Sequence, residues 1–292
     1  MKPTQFKYYA PTTVEEALAH LSEHGYDAKV LAGGQSLIPM LNFRIAQPAV
    51  LVDLNAVDEL FYIRPDDGDG LLIGAMARQA QVERDPLVAE RAPLVHETLP
   101  YIGYPQIRAR GTFGGSIAHA DPSAELVAVS IALGARFRLR TQAEERWVPA
   151  DEFFIGLFTT VLEPEELLVE VAVPALPPRS GGSFMEITRR HHDFCMAGAA
   201  AVVTLDEAGR CEQARLVFLS VGDGPVIADQ AAGMLAGQEL KEKAIRAAAE
   251  KAAADEIDPG TDIHASAEYR RHLAEVLARR VLAQASERAG GG

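Results

Sequence analysis

The sequence predicts an α+β protein: a glycine-loop domain in two parts, then an α+β C-terminal domain with an antiparallel sheet and helices. Three observations carry this prediction. Up to Val173, short apolar strands alternate with short helices, and glycine pairs follow two of the segments. A proline- and glycine-rich stretch from Pro174 to Gly182 then interrupts the pattern. Beyond it, long apolar runs come first and helical periodicity afterwards, the order expected of an α+β unit. The expected domains are 1–176, divided into 1–55 and 56–176, and 177–289.

Phe6-Lys7-Tyr8-Tyr9 predicts a short strand ended by Pro11. Thr13-Val14-Glu15-Glu16 has the form of a capping box, in which Thr13 and Glu16 satisfy each other's backbone donors. The helix runs to about His24, buries Val14, Ala17, Leu18 and Leu21, and stops at Gly25. His20 and His24 have a zinc-compatible spacing, but no third ligand is apparent and they are read as structural. Ala28–Leu31 is a second strand, Gln35–Leu41 a short helix and Val50–Leu54 a third strand.

In the next part, Phe61–Arg64 and Leu71–Gly74 predict a hairpin around an acidic turn. Helices are expected at Ala80–Arg84 and Pro86–Leu99, and Tyr101–Arg110 leads into the second glycine loop. Pro122 opens a buried helix over Ala124–Leu133. Ala135–Arg140, Arg146–Val148 and Glu166–Val173 read as strands, with a turn of helix at Asp151–Phe154. After the linker, Ser183–Arg190, Ala197–Leu205 and Ala214–Val221 predict an antiparallel sheet. Helices follow at Val226–Leu235, Glu239–Ala254 and Ser266–Glu287, the last with Tyr269, Leu273, Val276, Leu277 and Val281 on one stripe. The tail Ala289–Gly292 is expected to be disordered.

An apolar content of 48% and a charged content of 24% are ordinary for a globular chain. The formal charge of −13 argues against nucleic acid, whose backbone requires clustered Lys and Arg. No apolar run approaches the ~20 residues of a membrane span, and the opening MKPTQFKYYAPTT lacks the apolar core of a signal peptide. Cys195 and Cys211 give no disulfide framework, so a cytoplasmic location is expected. Two thiols also cannot supply the four ligands of an iron–sulfur cluster.

Two loops of matching chemistry stand out. Ala32-Gly33-Gly34-Gln35-Ser36 follows the strand Lys29-Val30-Leu31, and Thr112-Phe113-Gly114-Gly115-Ser116 follows Arg108 and Arg110. Glycine lets the backbone take positive φ and approach a ligand closely. Successive N–H groups in such turns form a nest for a phosphate oxygen. The pair of loops, with arginines nearby, points to a ligand with two phosphates. Hydrogen bonds to a charged group contribute about 1.5–3 kcal/mol each, whereas diffuse surface charge is screened over about 8 Å, so local donors outweigh the acidic surface.

Competing patterns fail. There is no GxGxxG with its later acid, no GxxxxGK[ST] and no HExxH. Gly114-Gly115-Ser116-Ile117-Ala118 lacks the last glycine of a hydrolase elbow. His191 and His192 would point to opposite faces of a strand. No metal site and no catalytic side chain is therefore expected.

AGGQSLIPMLNFR, PAVLVDLNAV and PQIRARGTFGGSIAHADPSAEL, with SAEYRRHLAEVLARR near the end, resemble the FAD-binding medium subunit of the molybdenum hydroxylases. The nearer likeness is to carbon monoxide dehydrogenases, the more distant to the flavin domain of xanthine dehydrogenase. The resemblance implies a two-subdomain FAD-binding domain of the PCMH/VAO type and a CO dehydrogenase flavoprotein-like C-terminal domain. It implies that Ala32, Gly33, Gly34, Gln35 and Ser36, with Thr112, Phe113, Gly114, Gly115 and Ser116, hold the FAD pyrophosphate, largely by backbone N–H, and that Leu31 and Leu37 also belong to the cofactor-binding set. Ser36, Thr112 and Ser116 add hydroxyls. Glu125 falls where relatives place an acid on the adenosine ribose; its other reading is a solvated residue in a first helical turn. Ile102 and Leu168 would make apolar contacts with the cofactor, with core packing as the competing role for Ile102. Phe194, at the end of the basic loop Arg189–Phe194, would cover one isoalloxazine face or begin the core of the next strand. The lysine some relatives carry before this loop is replaced by Met185 or Glu186, and Gln35 and Ser116 stand where carbon monoxide dehydrogenases carry His and Asn.

The implied function is electron transfer as an oxidoreductase subunit. FAD on this chain would receive electrons from a [2Fe-2S] subunit and deliver them to an external acceptor (quinone, NAD or O2). The implied partners are that small iron–sulfur subunit and a large molybdopterin subunit, in a dimer of heterotrimers. A self-contained flavin oxidase or reductase is one alternative, against which no catalytic base stands out. A scaffold that has lost FAD is another, against which both loops keep their glycines.

Overall fold

The computed structural model describes residues 2–291. The first unit contains β1 (Lys7–Tyr9), α1 (Val14–His24), β2 (Ala28–Leu31), α2 (Leu37–Asn42) and β3 (Val50–Asp53). Its strands lie in the order β1-β3-β2, all parallel. Val14, Ala17, Leu18 and Leu21 of α1 are buried with Val50, Val52 and Leu54. Thr13 caps α1 by accepting from the Glu16 N–H at 3.2 Å. The Glu16 carboxylate reaches one residue further back than a capping box requires, accepting from the Thr12 N–H and hydroxyl.

The second unit is built on β4 (Ile63–Pro65) and β5 (Leu71–Gly74), then helices α3 (Gln79–Val82), α4 (Pro86–Arg91), α5 (Pro93–Thr98), α6 (Pro105–Arg110), α7 (Phe113–His119) and α8 (Glu125–Ala132). It continues through β6 (Arg136–Arg140), β7 (Glu145–Pro149), α9 (Ala150–Phe153), the hairpin β8 (Phe154–Gly156) and β9 (Thr159–Thr160), and β10 (Leu167–Val173). The five main strands run antiparallel in the order β4-β5-β10-β6-β7. Every residue of the central strand β10 is buried. Its one charge, Glu170, meets Arg64 at 3.0 Å and Arg138 at 3.3 Å, the pairing that makes a buried carboxylate tolerable.

Two expectations change here. Residues 86–99 form two helices because Ala92 takes φ −136° and ψ 57°, as the ring of Pro93 disfavours helical backbone before it. Residues 105–110, expected only as the lead into the second glycine loop, form α6, with Pro105 fitting the first helical position.

The third unit is the antiparallel sheet β11 (Ser180–Thr188), β12 (Cys195–Leu205), β13 (Cys211–Leu219) and β14 (Val226–Ile227), followed by α10 (Asp229–Gly233), α11 (Glu242–Lys251) and α12 (Ala267–Ala289). Its two faces serve two cores. Ala197, Ala199, Ala201 and Val203 of β12, with Leu216 and Phe218 of β13, pack against α10–α12. The alternate residues Ala200, Val202, Val217 and Leu219 join the core of the second unit, as does Cys195 beyond a register shift in β12. The period of two along a strand makes this division.

Four expectations in this unit are corrected. Gly181 and Gly182 belong to β11 and not to a linker, because α12 lies directly over Gly181. Val226 and Ile227 pair with Phe218 and Val217 as a strand, so the helix begins only at Asp229. Tyr269 is exposed, and Arg270 takes the buried position beside it. There its guanidinium donates to the Met196 and Ser220 carbonyls and pairs with Asp262 at 2.8 Å. Ala289, expected in a disordered tail, is the buried last residue of α12; Gly292 lies outside the described residues. Among the described residues no helix is long and apolar enough to cross a membrane.

A Cβ on Gly181 would collide with the Ala285 carbonyl oxygen and lie 2.5 Å from the Ala289 nitrogen. Gly181→Ala is therefore expected to cost about 1–3 kcal/mol, the usual penalty of overpacking. Urea unfolding should show a lower midpoint at unchanged slope; an unmoved midpoint would mean that α12 is free to lift from the sheet.

Candidate functional site

The two glycine loops line one cavity of about 1050 Å³. That lies at the top of the ~300–1,000 Å³ range of small-molecule sites and suits a large, extended ligand. The first loop, between β2 and α2, is anchored where the Asn55 amide donates to the Ala32 carbonyl at 3.0 Å. Gly34 takes φ 73°, in the left-handed region that favours glycine. The Gln35 side chain folds back to donate to the Gly33 carbonyl at 3.1 Å. Among the described residues, the N–H groups of Gly33, Gly34, Gln35 and Ser36 have no acceptor within the chain. The Ser36 hydroxyl makes no capping bond to α2. This loop is a nest of free donors.

The second loop is built differently. Residues 113–119 are helix α7, and Thr112 caps it by accepting from the Gly115 N–H at 3.0 Å. The N–H groups of Phe113 and Gly114 donate to the Ala77 and Ala75 carbonyls, both at 2.9 Å, and that of Ser116 to the Thr112 carbonyl at 3.2 Å. Four of its five backbone donors are thus consumed within the fold, and what it offers the cavity is the Thr112 N–H and hydroxyl chemistry from Thr112 and Ser116. Gly114 answers to packing, since a Cβ there would lie 2.6 Å from the Ala75 Cβ.

Arg78 joins the two loops. It donates to the Asn55 side-chain oxygen and to the Arg110 carbonyl, each at 2.5 Å. The adjacent Gln79 N–H donates to the Gly111 carbonyl at 2.9 Å. The loops touch: a Cβ on Gly33 would collide with the Arg110 carbonyl oxygen and lie 2.8 Å from the Gly111 Cα. Burial, then the Arg110 charge, lowers the Arg78 pKa. Sequence reasoning missed Arg78, because it lies far from both loops in the chain. It singled out Arg108 and Arg110 instead, and neither lines the cavity. Arg108 is buried, pairs with Glu83 at 2.8 Å and donates to the Ile102 and Gly103 carbonyls.

Of the other expected residues, Leu37, Ile102, Glu125, Leu168 and Phe194 lie on the cavity wall with Ala32–Ser36. Ile102 and Leu168 are otherwise buried, while Phe194 is 78% exposed and free to cover a ligand. Leu31 and Phe113 are not on the wall, and Phe113 is fully enclosed in the core. His191 and His192 lie in a turn, with His192 at φ 75°, so their rings approach to 3.9 Å instead of facing opposite ways. The wall also includes Tyr26, Tyr104, His119 and Phe158, isolated in the sequence without a pattern to mark them. Burial lowers the His119 pKa, and its ring lies 5.1 Å from that of Phe158 on the β8–β9 hairpin.

Glu125 starts α8 at the cavity wall, and burial pushes its carboxyl up to about 7. Glu186, on β11, is raised to about 8, by burial first and then by the Glu125 charge. Behind them the buried Cys195 thiol lies 3.1 Å from the Ser220 hydroxyl, which donates to the Ser123 hydroxyl at 2.6 Å. Away from the cavity, His20, Glu23 and His24 bring ligand atoms within 4.8 Å of one another, so a third candidate ligand exists that the spacing of the two histidines did not show.

Residues 4–176 match the family model of the FAD binding domain in molybdopterin dehydrogenase, and residues 182–285 that of the CO dehydrogenase flavoprotein C-terminal domain. The chain is 43% identical over 289 residues to the 6-hydroxypseudooxynicotine dehydrogenase complex subunit alpha of Paenarthrobacter nicotinovorans, covering 99% of this chain and 97% of that one. It is 38% identical to the carbon monoxide dehydrogenase medium chain of Hydrogenophaga pseudoflava, over 97% of each. A solved structure of the Hydrogenophaga pseudoflava carbon monoxide dehydrogenase superposes with a TM-score of 0.95 at 39% identity, over 99% of both chains. Quinoline 2-oxidoreductase from Pseudomonas putida 86 gives 0.92 at 37% identity, again over 99% of both.

Arg78→Ala removes two hydrogen bonds from a charged group, each worth about 1.5–3 kcal/mol. It is expected to lower stability by about 2–3 kcal/mol in urea unfolding, and unchanged stability would refute the bridging role. Glu186 predicts a pH dependence. Its folded pKa lies above its unfolded value, so the folded state binds more protons between about pH 4.5 and 8 and stability falls as pH rises through that window. Glu186→Gln should match the wild-type melting temperature near pH 4.5 and exceed it at pH 9. Parallel curves for the two proteins would contradict this assignment.

Proposed function

Because the chain belongs to the family of FAD-binding subunits of molybdopterin dehydrogenases, we propose that it is the electron-transfer subunit of a heterotrimeric molybdenum hydroxylase. In this reading it receives electrons from a [2Fe-2S] subunit and passes them to an external acceptor. Residues 1–176 form the FAD-binding domain and 177–289 the C-terminal domain, and a molybdopterin subunit carries substrate oxidation. The relatives' names support assembly with other chains, since they are called a complex subunit and a medium chain.

The observation that carries the proposal is the first loop, where four backbone N–H groups without intrachain acceptors line a cavity of about 1050 Å³. Such donors fit a diphosphate, and the hydroxyls of Ser36, Thr112 and Ser116 extend the same set. The fit to FAD extends beyond phosphate. Ile102, Leu168 and Phe194 offer apolar contact for a ring system, and Glu125 offers a carboxyl that accepts from a sugar hydroxyl. When bound, FAD supplies the exchange between one-electron donors and two-electron acceptors. The chain's own residues bind it, orient it and keep water from its buried side; none is assigned a general acid or base role.

The test is selective removal of FAD from the purified complex. The expected result is an iron–sulfur centre still reduced by substrate, with electron delivery to the external acceptor lost and restored by added FAD. Acceptor reduction that persists without flavin, or a chain that purifies without flavin and without partners, would overturn the proposal.

A further inference from the structure

The last turn of α1 gathers three potential metal ligands away from the cavity. His20, Glu23 and His24 bring one ligand atom each within 4.8 Å of one another. They stand at i, i+3 and i+4, a spacing that places side chains on one face of a helix. The Nε2 atom of His24 lies 3.9 Å from Oε1 of Glu23. The Tyr9 ring on β1 stacks on His20 at 4.1 Å and reaches His24 at 5.6 Å, and the two imidazoles are parallel to within 3°. Stacking occupies the ring faces and leaves the in-plane nitrogens unsatisfied. Nδ1 of His20 and Nε2 of His24 are buried, and neither has a hydrogen-bond partner among the described residues. Leaving such atoms unpaired is costly, and a bound ligand removes that cost.

Two imidazole nitrogens and a carboxylate oxygen are the ligand chemistry of zinc and its neighbours among the divalent transition metals. The surrounding charge also suits a cation. The three residues lie in the last turn of α1, where the helix dipole is negative. Glu16, one turn before His20, adds a second carboxylate and is held by the Thr12 N–H and hydroxyl. Glu23 has no lysine or arginine partner among the described residues. We propose that His20, Glu23 and His24 bind a zinc-class divalent ion, with solvent completing its coordination. Ligand atoms of one tetrahedral zinc lie about 3.3 Å apart, given bonds of about 2.0–2.1 Å. Binding therefore draws the three together, and the Glu23 side chain, 68% exposed, is free to swing inward. None of the three lines the cavity, so the site is independent of the FAD reading. Its role is to clip the end of α1 where the chain turns towards the wall residues Gly25, Tyr26 and Ala28.

The experiment titrates zinc(II) into the full chain, first freed of metal by a chelator, and follows binding by calorimetry. A single equivalent is expected to bind and to raise the melting temperature, as any ligand of the folded state does. Cobalt(II) in its place is expected to give the visible absorption of a tetrahedral, nitrogen-ligated ion. His20→Ala and His24→Ala are each expected to weaken binding by about tenfold or more, since the loss of supporting partners alone costs 10–100-fold. Glu23→Gln keeps the shape and loses the charge, and is expected to weaken binding less than either. Circular dichroism confirms that each variant is folded. A wild-type chain that takes up no zinc(II) would overturn the site, and that outcome depends on no variant. Binding that persists at wild-type affinity in the double variant His20→Ala, His24→Ala would place the ion elsewhere and overturn it too.

Discussion

The bridge from Arg78 to the Asn55 side chain and the Arg110 carbonyl is the interaction on which the site depends. Asn55 holds the Ala32 carbonyl, so one guanidinium fixes the start of the first glycine loop against the approach to the second. The first loop has no regular element of its own to hold it, whereas the second is the start of α7. The first lies between a four-residue strand and a six-residue helix, and the second begins where α6 ends. A guanidinium has five donors in a rigid fork, which lets it bind two acceptors from separate units at once. The cavity between the units therefore exists as a built shape and not as an incidental gap.

Within that frame the two loops divide the work. The first keeps its N–H groups free, and the second spends those of residues 113–116 on capping α7 and on joining it to Ala75 and Ala77. The matching glycine pairs thus have different reasons. At Gly34 the reason is backbone conformation, and at Gly114 it is the closeness of a helix to a neighbouring chain segment. A site for an elongated phosphate ligand needs both kinds of feature: a flexible-looking turn that presents donors, and a rigid wall that fixes their distance from the rest of the ligand.

Much of the fold was legible because its signals are local. The Thr13 cap, the Gly25 stop and the Leu167–Val173 strand each follow from a few neighbouring residues. The glycine loops and the acid at Glu125 were also readable, from spacing and from family likeness. What was not legible depends on distant partners. The burial of Arg270 in place of Tyr269 is decided by the carbonyls of Met196 and Ser220, and nothing near residue 270 announces them. Arg108 and Arg110 looked like company for a phosphate because they precede a glycine loop, yet Glu83, in the turn after α3, pairs with Arg108. Pairing across units, more than any local propensity, separates the sequence reading from the structure.

The alanine run of β12 has a consequence for how the chain can be divided. Because alternate residues of β12 and β13 belong to different cores, the sheet is a partition wall shared by the second and third units. Cutting the chain after residue 176 would not release a finished flavin lobe. It would strip away Ala200, Val202, Val217 and Leu219 and leave the apolar surface beneath them open to water, the kind of surface that drives self-association.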